Sequence, residues 1–270
     1  MRYEPDRYIA ATLAPPNVRP TLAAIAAFAA EIARIPSLVS EPLLGEIRLQ
    51  WWHDALAEGR RGRLSGHPVA DALIAAANQC NLPSDLLDAV VDARELDLAG
   101  GMPQDDAGLE AYLKASEGDV FLLSFCALGG ERRDVEDVAR LAGYAYGISR
   151  ALCRLPILLH NGGMILPADR LKRAGIDPAQ LASQPVPQPV NDAVRRVANE
   201  MQGEALKALA RARAQAVRLD ARLRPVLLPL AMVGPYFQVQ SNRRILIEPA
   251  EISPVRRVVR IGLAHLTGRV

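Results

Sequence analysis

Two stretches decide the fold: LAAIAAFAAEIARIPSLVSEPLLGEIRLQWWHDAL, residues 22–56, and YAYGISRALCRLPILLHNGGMILPADRL, residues 144–171. In the first, Leu22, Ile25, Ala29 and Ile32 recur at three- and four-residue spacing. Leading into the second, Val135, Val138, Ala142, Ala145, Ile148 and Leu152 do the same. That spacing matches the turn of an α-helix and puts the apolar side chains on one face. Ile35-Pro36 closes the first helix, because proline disfavours helical backbone at the residue before it.

Working outward, Leu109, Tyr112, Leu113, Ser116, Val120, Leu123 and Ala127 form a third stripe, and Val194, Val197, Met201, Leu206 and Leu209 a fourth. No run of alternating β-branched residues and no hairpin turn interrupts them, so the expected class is all-α. Loops are expected at 59–68 and 100–106, and the three prolines within 184–190 mark the best linker candidate. The apolar stripes beyond that linker need a partner to cover them, which favours one domain over 1–270.

Half of the 270 residues are apolar and only 4% aromatic, so the core must be built from Ala, Leu, Val and Ile. A net charge of +2 gives no case for nucleic acid. Its distribution is uneven: from Asn191 onward there are 14 Lys+Arg against 6 Asp+Glu, while the first 190 residues are net acidic. A basic last third suits an anionic ligand, a membrane surface or an acidic partner. Cys80, Cys126 and Cys153 share no metal-ligand spacing and read as buried thiols of a reducing compartment. MRYEPDRY lacks an apolar signal segment, and the longest apolar run, 225–239, holds three prolines and falls short of the ~20 residues a spanning helix needs. These features predict a cytoplasmic protein, at most peripheral on the inner face of a membrane.

The two stretches resemble the squalene/phytoene synthase family, whose members join isoprenoid diphosphates head to head. DARELDL at 92–98, GLEAYLKASEGD at 108–119 and ISPVRRVVRIGLAHL at 252–266 extend the resemblance over most of the chain. It implies an isoprenoid-synthase-type helical bundle around a central apolar cavity, with the two stretches facing each other. In that family each carries aspartate-rich acids that hold magnesium over the leaving diphosphate. Here the corresponding positions are Ala33, Arg34 and Ser37 in the first motif and Arg154, Ile157 and Leu158 in the second, none acidic. VSEPLLGEIRLQWW is most similar to a branch that includes a mitochondrial complex I assembly factor, and so implies a scaffold without metal chemistry.

Three readings follow. The leading one is a non-catalytic assembly factor or lipid- or isoprenoid-binding scaffold, with a protein partner in respiratory complex assembly and no cofactor. The second is a prenyl transferase with displaced acids, which would need magnesium. The third is a different enzyme using an apolar tunnel and an arginine cleft. Arg34, Arg48, Arg150 and Arg154 are candidate ligands for an anionic amphiphile, since an arginine fork holds a phosphate or carboxylate without a metal. Gln50, Trp51, Trp52, Tyr112 and Tyr146 are candidate cavity or interface residues. Trp51 and Trp52 are adjacent, so only one can face the core. Asp85, Asp88, Asp92 and Glu95 line up opposite Leu87, Val91 and Leu98 and read as a solvated face rather than a metal site. Arg243, Arg244, Arg256, Arg257 and Arg260 flank the 225–239 run, which together predict reversible contact with an anionic bilayer unless that run is a core helix.

Overall fold

The computed structural model describes residues 4–39, 41–160, 163–181, 187–241, 246 and 251–268, and no strand occurs among them. The helices run α1 (Pro5–Leu13), α2 (Arg19–Arg34), α3 (Pro42–Arg60), α4 (Pro68–Cys80), α5 (Ser84–Leu98), α6 (Asp106–Leu113), α7 (Asp119–Ala127) and α8 (Arg132–Cys153). After them come α9 (Leu155–His160), α10 (Ala168–Arg173), α11 (Pro178–Leu181), α12 (Gln188–Ala216), α13 (Val233–Ser241) and α14 (Pro254–Thr267).

Helix α8 is the axis of the bundle. It packs along α12 on one side and against α7, α13 and the segment before α7 on the others. Val135, Val138, Ala142, Ala145, Ile148 and Leu152, the residues that carried its periodicity, are all buried. Phe28 and Ile32 of α2 are fully buried, and Trp52 of α3 meets Phe28 edge-on at 5.3 Å between ring centroids. Arg19–Leu38 is long and apolar enough to cross a membrane by length and composition, yet Leu22, Ile25, Phe28 and Ile32 spend that apolarity on the core.

Proline and glycine shape the elements beside the cavity. Pro36 does not release the chain into a loop; Ile35–Leu38 tightens into a 3-10 turn that continues α2. The third sequence stripe is not one uniform helix either. Lys114–Gly118, between α6 and α7, forms a π-helical turn, a local widening that is frequent at functional sites. It lies so close to α8 that a Cβ on Gly143 would sit 2.4 Å from the Gly118 Cα. Only glycine fits at that contact.

The 225–239 run is a core element. Val226 to Val233 are all buried in a 3-10 segment spanning Ala221–Met232 and the start of α13, so this run is not a membrane-facing surface. Of the linker candidate, residues 184–186 lie outside the described set, as do Arg243 and Arg244, while Gln188–Val190 already belong to α12.

Candidate functional site

The two signature stretches do face each other. A cavity of about 120 Å³ is lined by Ala33 and Ser37 from the first and by Arg154, Ile157 and Leu158 from the second, along with Arg150 one turn earlier on α8. Five of the six positions where the family resemblance places acids therefore meet at one site. The sixth, Arg34, does not line it; its guanidinium pairs with Glu31 at 3.2 Å on the same helix. Arg48 lies on the exposed face of α3, away from the cavity.

Part of the lining is apolar, with Ala33, Pro36, Leu96, Leu113, Ile157, Leu158, Met164 and Ile165. The lining also holds Glu4, Arg94, Asp97, Glu117, Arg150 and Arg154, and the charges are organised. Arg7 of α1 reaches Glu4 at 2.9 Å and Glu117 at 2.8 Å. Arg150 of α8 reaches the same two carboxylates, Glu4 at 2.6 Å and Glu117 at 3.2 Å. Two arginines and two glutamates thus alternate in a closed ring that joins the start of α1, the π turn and α8. All four side chains are at most 13% exposed. The Arg7 and Arg150 guanidinium carbons each lie 5.0 Å from the centroid of the Tyr146 ring.

The electrostatics follow from burial set against pairing. Burial alone would push the Glu4 carboxyl up, but Arg150 and Arg7 together bring it below the ordinary carboxylate range. Burial likewise works against the charge on Arg150, and Glu4 first, then Tyr146 and Glu117, hold its pKa well above the usual value. A second knot sits further along the wall. Arg94 donates to Asp97 at 2.9 Å and to the Tyr112 hydroxyl at 2.9 Å, while that hydroxyl donates to Asp97 at 3.0 Å. Glu4, Glu117 and Asp97, the acids that reach the cavity, are therefore each engaged by arginine.

Behind the ring lies a further network. Asp6 is fully buried and accepts from the hydroxyls of Tyr146 at 3.0 Å and Tyr236 at 2.6 Å, and from Arg257 of α14 at 2.5 Å. Tyr146 is thus structural, tying α8 to the N-terminus, whereas Tyr112 stands on the cavity wall itself. Gln50 is exposed and donates to Asp54 on the next helical turn. Trp52 is the tryptophan that enters the core, at 5% exposure, and Trp51 remains 39% exposed. Leu38, Leu43, Leu44, Ile47 and Trp51 are all exposed, and on α3 they share one face.

Asp85, Asp92 and Glu95 are exposed, as the stripe predicted, with Asp85 held by Arg132 and Asp88 and Asp92 by His53. No group of three or more His, Cys, Asp or Glu side chains that could hold a metal occurs among the described residues. Sequence reading missed Glu4, Arg7 and the pairing of Glu117. The signal that was present is that Arg94, Asp97, Tyr112 and Glu117 all belong to the two middle segments that carry the family resemblance.

The family model for squalene/phytoene synthase matches residues 1–243. The chain belongs to that family. Among solved structures it is similar to a dehydrosqualene synthase bound to ligand, with TM-score 0.78 and 16% identity, covering 97% of this chain and 92% of that one. The squalene synthase HpnC of Alicyclobacillus acidocaldarius gives TM-score 0.73 at 14% identity, with 89% of each chain covered. At such identities these likenesses show the fold. Among sequence relatives, the NADH dehydrogenase (ubiquinone) complex I assembly factor 6 of Mus musculus is 26% identical over 195 residues, 72% of this chain. Its Homo sapiens counterpart is 25% identical over the same share. The chain spans 59% of the length of these relatives.

Proposed function

We propose that this member of the squalene/phytoene synthase family is a non-catalytic assembly factor for a respiratory NADH dehydrogenase complex. The observation that carries the reading is the ion ring. A working diphosphate site needs carboxylates whose oxygens are available to magnesium, and here Glu4 and Glu117 are neutralised by Arg7 and Arg150 inside the fold. The donor set does not fit a magnesium diphosphate. The cavity volume supports the same reading. About 120 Å³ is well under the ~300–1,000 Å³ of sites that enclose a ligand of ordinary size.

The similarity to assembly factors of complex I supplies the partner class. The α3 face with Leu43, Leu44, Ile47 and Trp51 is the surface we assign to it, since exposed aromatic and aliphatic side chains on one helix face are what a protein interface buries. It lies within VSEPLLGEIRLQWW, the phrase that first pointed to that branch. Deleting the gene in its native host and resolving respiratory complexes on native gels tests the proposal. Loss of the assembled NADH dehydrogenase is expected, restored by the wild-type gene and not by Ile47→Asp. A fully assembled complex in the deletion strain would overturn it.

A further inference from the structure

Helix α14 has two apolar faces, and among the described residues only one of them is covered. Ile261 and Ala264 pack into the core, and Arg257 beside them is fixed by Asp6 and Tyr236. On the opposite side, Val255, Val258, Val259, Leu263 and Leu266 are 51–81% exposed. At 100° per residue these five positions fall on one face of the helix. A 14-residue helix is about 21 Å long, so this is an extended stripe rather than scattered side chains. It contains no tryptophan, tyrosine, phenylalanine or methionine, unlike the α3 face.

The charge beside it is one-sided. Residues 254–267 contain no aspartate or glutamate. Along the edge of α14 runs a groove of about 810 Å³ between the end of α12 and the 3-10 segment, floored by Ala216, Val217, Pro225 and Leu228. Arg213, Arg224 and Arg260 line it, and among the described residues no carboxylate does. Arg213 is held below the usual arginine range by burial and by the positive charge of Arg260. Two like charges are therefore kept together where an anion would relieve them.

From the exposed aliphatic stripe and the arginine-lined groove beside it we infer that α14 docks the protein, as a peripheral membrane protein, onto the surface of an anionic lipid bilayer. The aliphatic stripe would enter the headgroup boundary, as amphipathic interfacial helices do. The groove arginines would take the lipid phosphates. An anionic amphiphile was expected at the signature cleft, but Arg150 there already holds two glutamates, and the α14 groove offers both the apolar floor and the arginines without carboxylates. The inference is independent of the assembly role, since lipid vesicles hold no respiratory complex and assembly on native gels does not read lipid binding.

Co-sedimentation of the full chain with vesicles tests it. Vesicles of phosphatidylcholine alone are compared with vesicles containing a third phosphatidylglycerol. Binding to the anionic vesicles is expected, with little to the neutral ones, and it should fade as salt is raised and the ~8 Å Debye length shortens. Leu266→Asp, at an 81% exposed position, should abolish it while leaving the thermal midpoint unchanged. The pair Arg213→Gln and Arg260→Gln should weaken it by about tenfold or more. Absence of binding to anionic vesicles, equal binding to both kinds, or undiminished binding by a folded Leu266→Asp variant would each overturn the inference. Absence of binding would in addition point to a protein as the occupant of this face.

Discussion

The arginines of the cavity and those of the α14 groove are the same side chain put to opposite uses. Arg7 and Arg150 are buried and locked between Glu4 and Glu117, so they hold helices together and offer little to a ligand. Arg213, Arg224 and Arg260 line a groove to which no described residue brings a carboxylate. A count of basic residues does not separate these cases. Which arginines recognise anions depends on where the acids of distant segments come to rest.

The comparison can be broken by stability measurements. Arg150→Ala leaves Glu4 and Glu117 buried with half their compensation, and removing one partner of a buried pair costs about 3–5 kcal/mol. Urea unfolding should register a loss of that size. A change below about 1 kcal/mol would mean the ring is looser than its distances indicate. Arg260→Ala, by contrast, should fall within about 0.5 kcal/mol of wild type, as surface substitutions do.

Asp119 sharpens the point as a carboxylate without an arginine. It is 2% exposed, its nearest cation is Lys114 at 3.6 Å, and its Oδ2 has no hydrogen-bond partner. Burial, only partly offset by Lys114, pushes its pKa up to about 6. A carboxyl raised in the folded state favours folding while protonated, so its contribution is present below about pH 4 and is lost as pH rises to about 6. Asp119→Asn should therefore stabilise the protein by about 2 kcal/mol above pH 6 and by little near pH 4. Thermal melts at the two pH values check this; equal shifts at both would remove the titration argument.

Much of the fold was legible in the chain. Helical periodicity needs only local spacing, and the stripes of α2 and α8 bury the residues that their spacing selected, whereas in α12 Val194, Val197, Met201 and Leu209 are buried but Leu206 stays exposed. The meeting of Ala33, Ser37, Arg154, Ile157 and Leu158 was legible from the resemblance alone. The ring was not. Arg7 meets Glu117 across 110 residues, and nothing in MRYEPDRY marks Glu4 as the partner of Arg150. For the same reason the membrane-facing reading of the run 225–239 and of Arg257 failed: Arg257 reaches back 251 residues to Asp6, and the run is interior. The exposed face of α14 was hidden because its stripe and its buried face are both apolar, so periodicity alone cannot say which one meets the core.

The smallest expected effect concerns the α3 face. Ile47→Asp should leave the thermal midpoint nearly unchanged, because that side chain is already exposed, and Trp51→Ala should lower it modestly, because it also removes edge contacts with Trp52 and His67. They should nevertheless lower recovery of a partner in affinity capture from native membranes. Unchanged recovery would move the partner surface elsewhere.

The most direct test is of the cavity itself. The purified full chain is incubated with magnesium and farnesyl or geranylgeranyl diphosphate, beside a working squalene synthase, and products and released pyrophosphate are measured. With its carboxylates held by arginine, the protein should release no pyrophosphate above the enzyme-free control and form no squalene or phytoene. Magnesium-dependent formation of either product at a rate near that of the working synthase would contradict the non-catalytic reading.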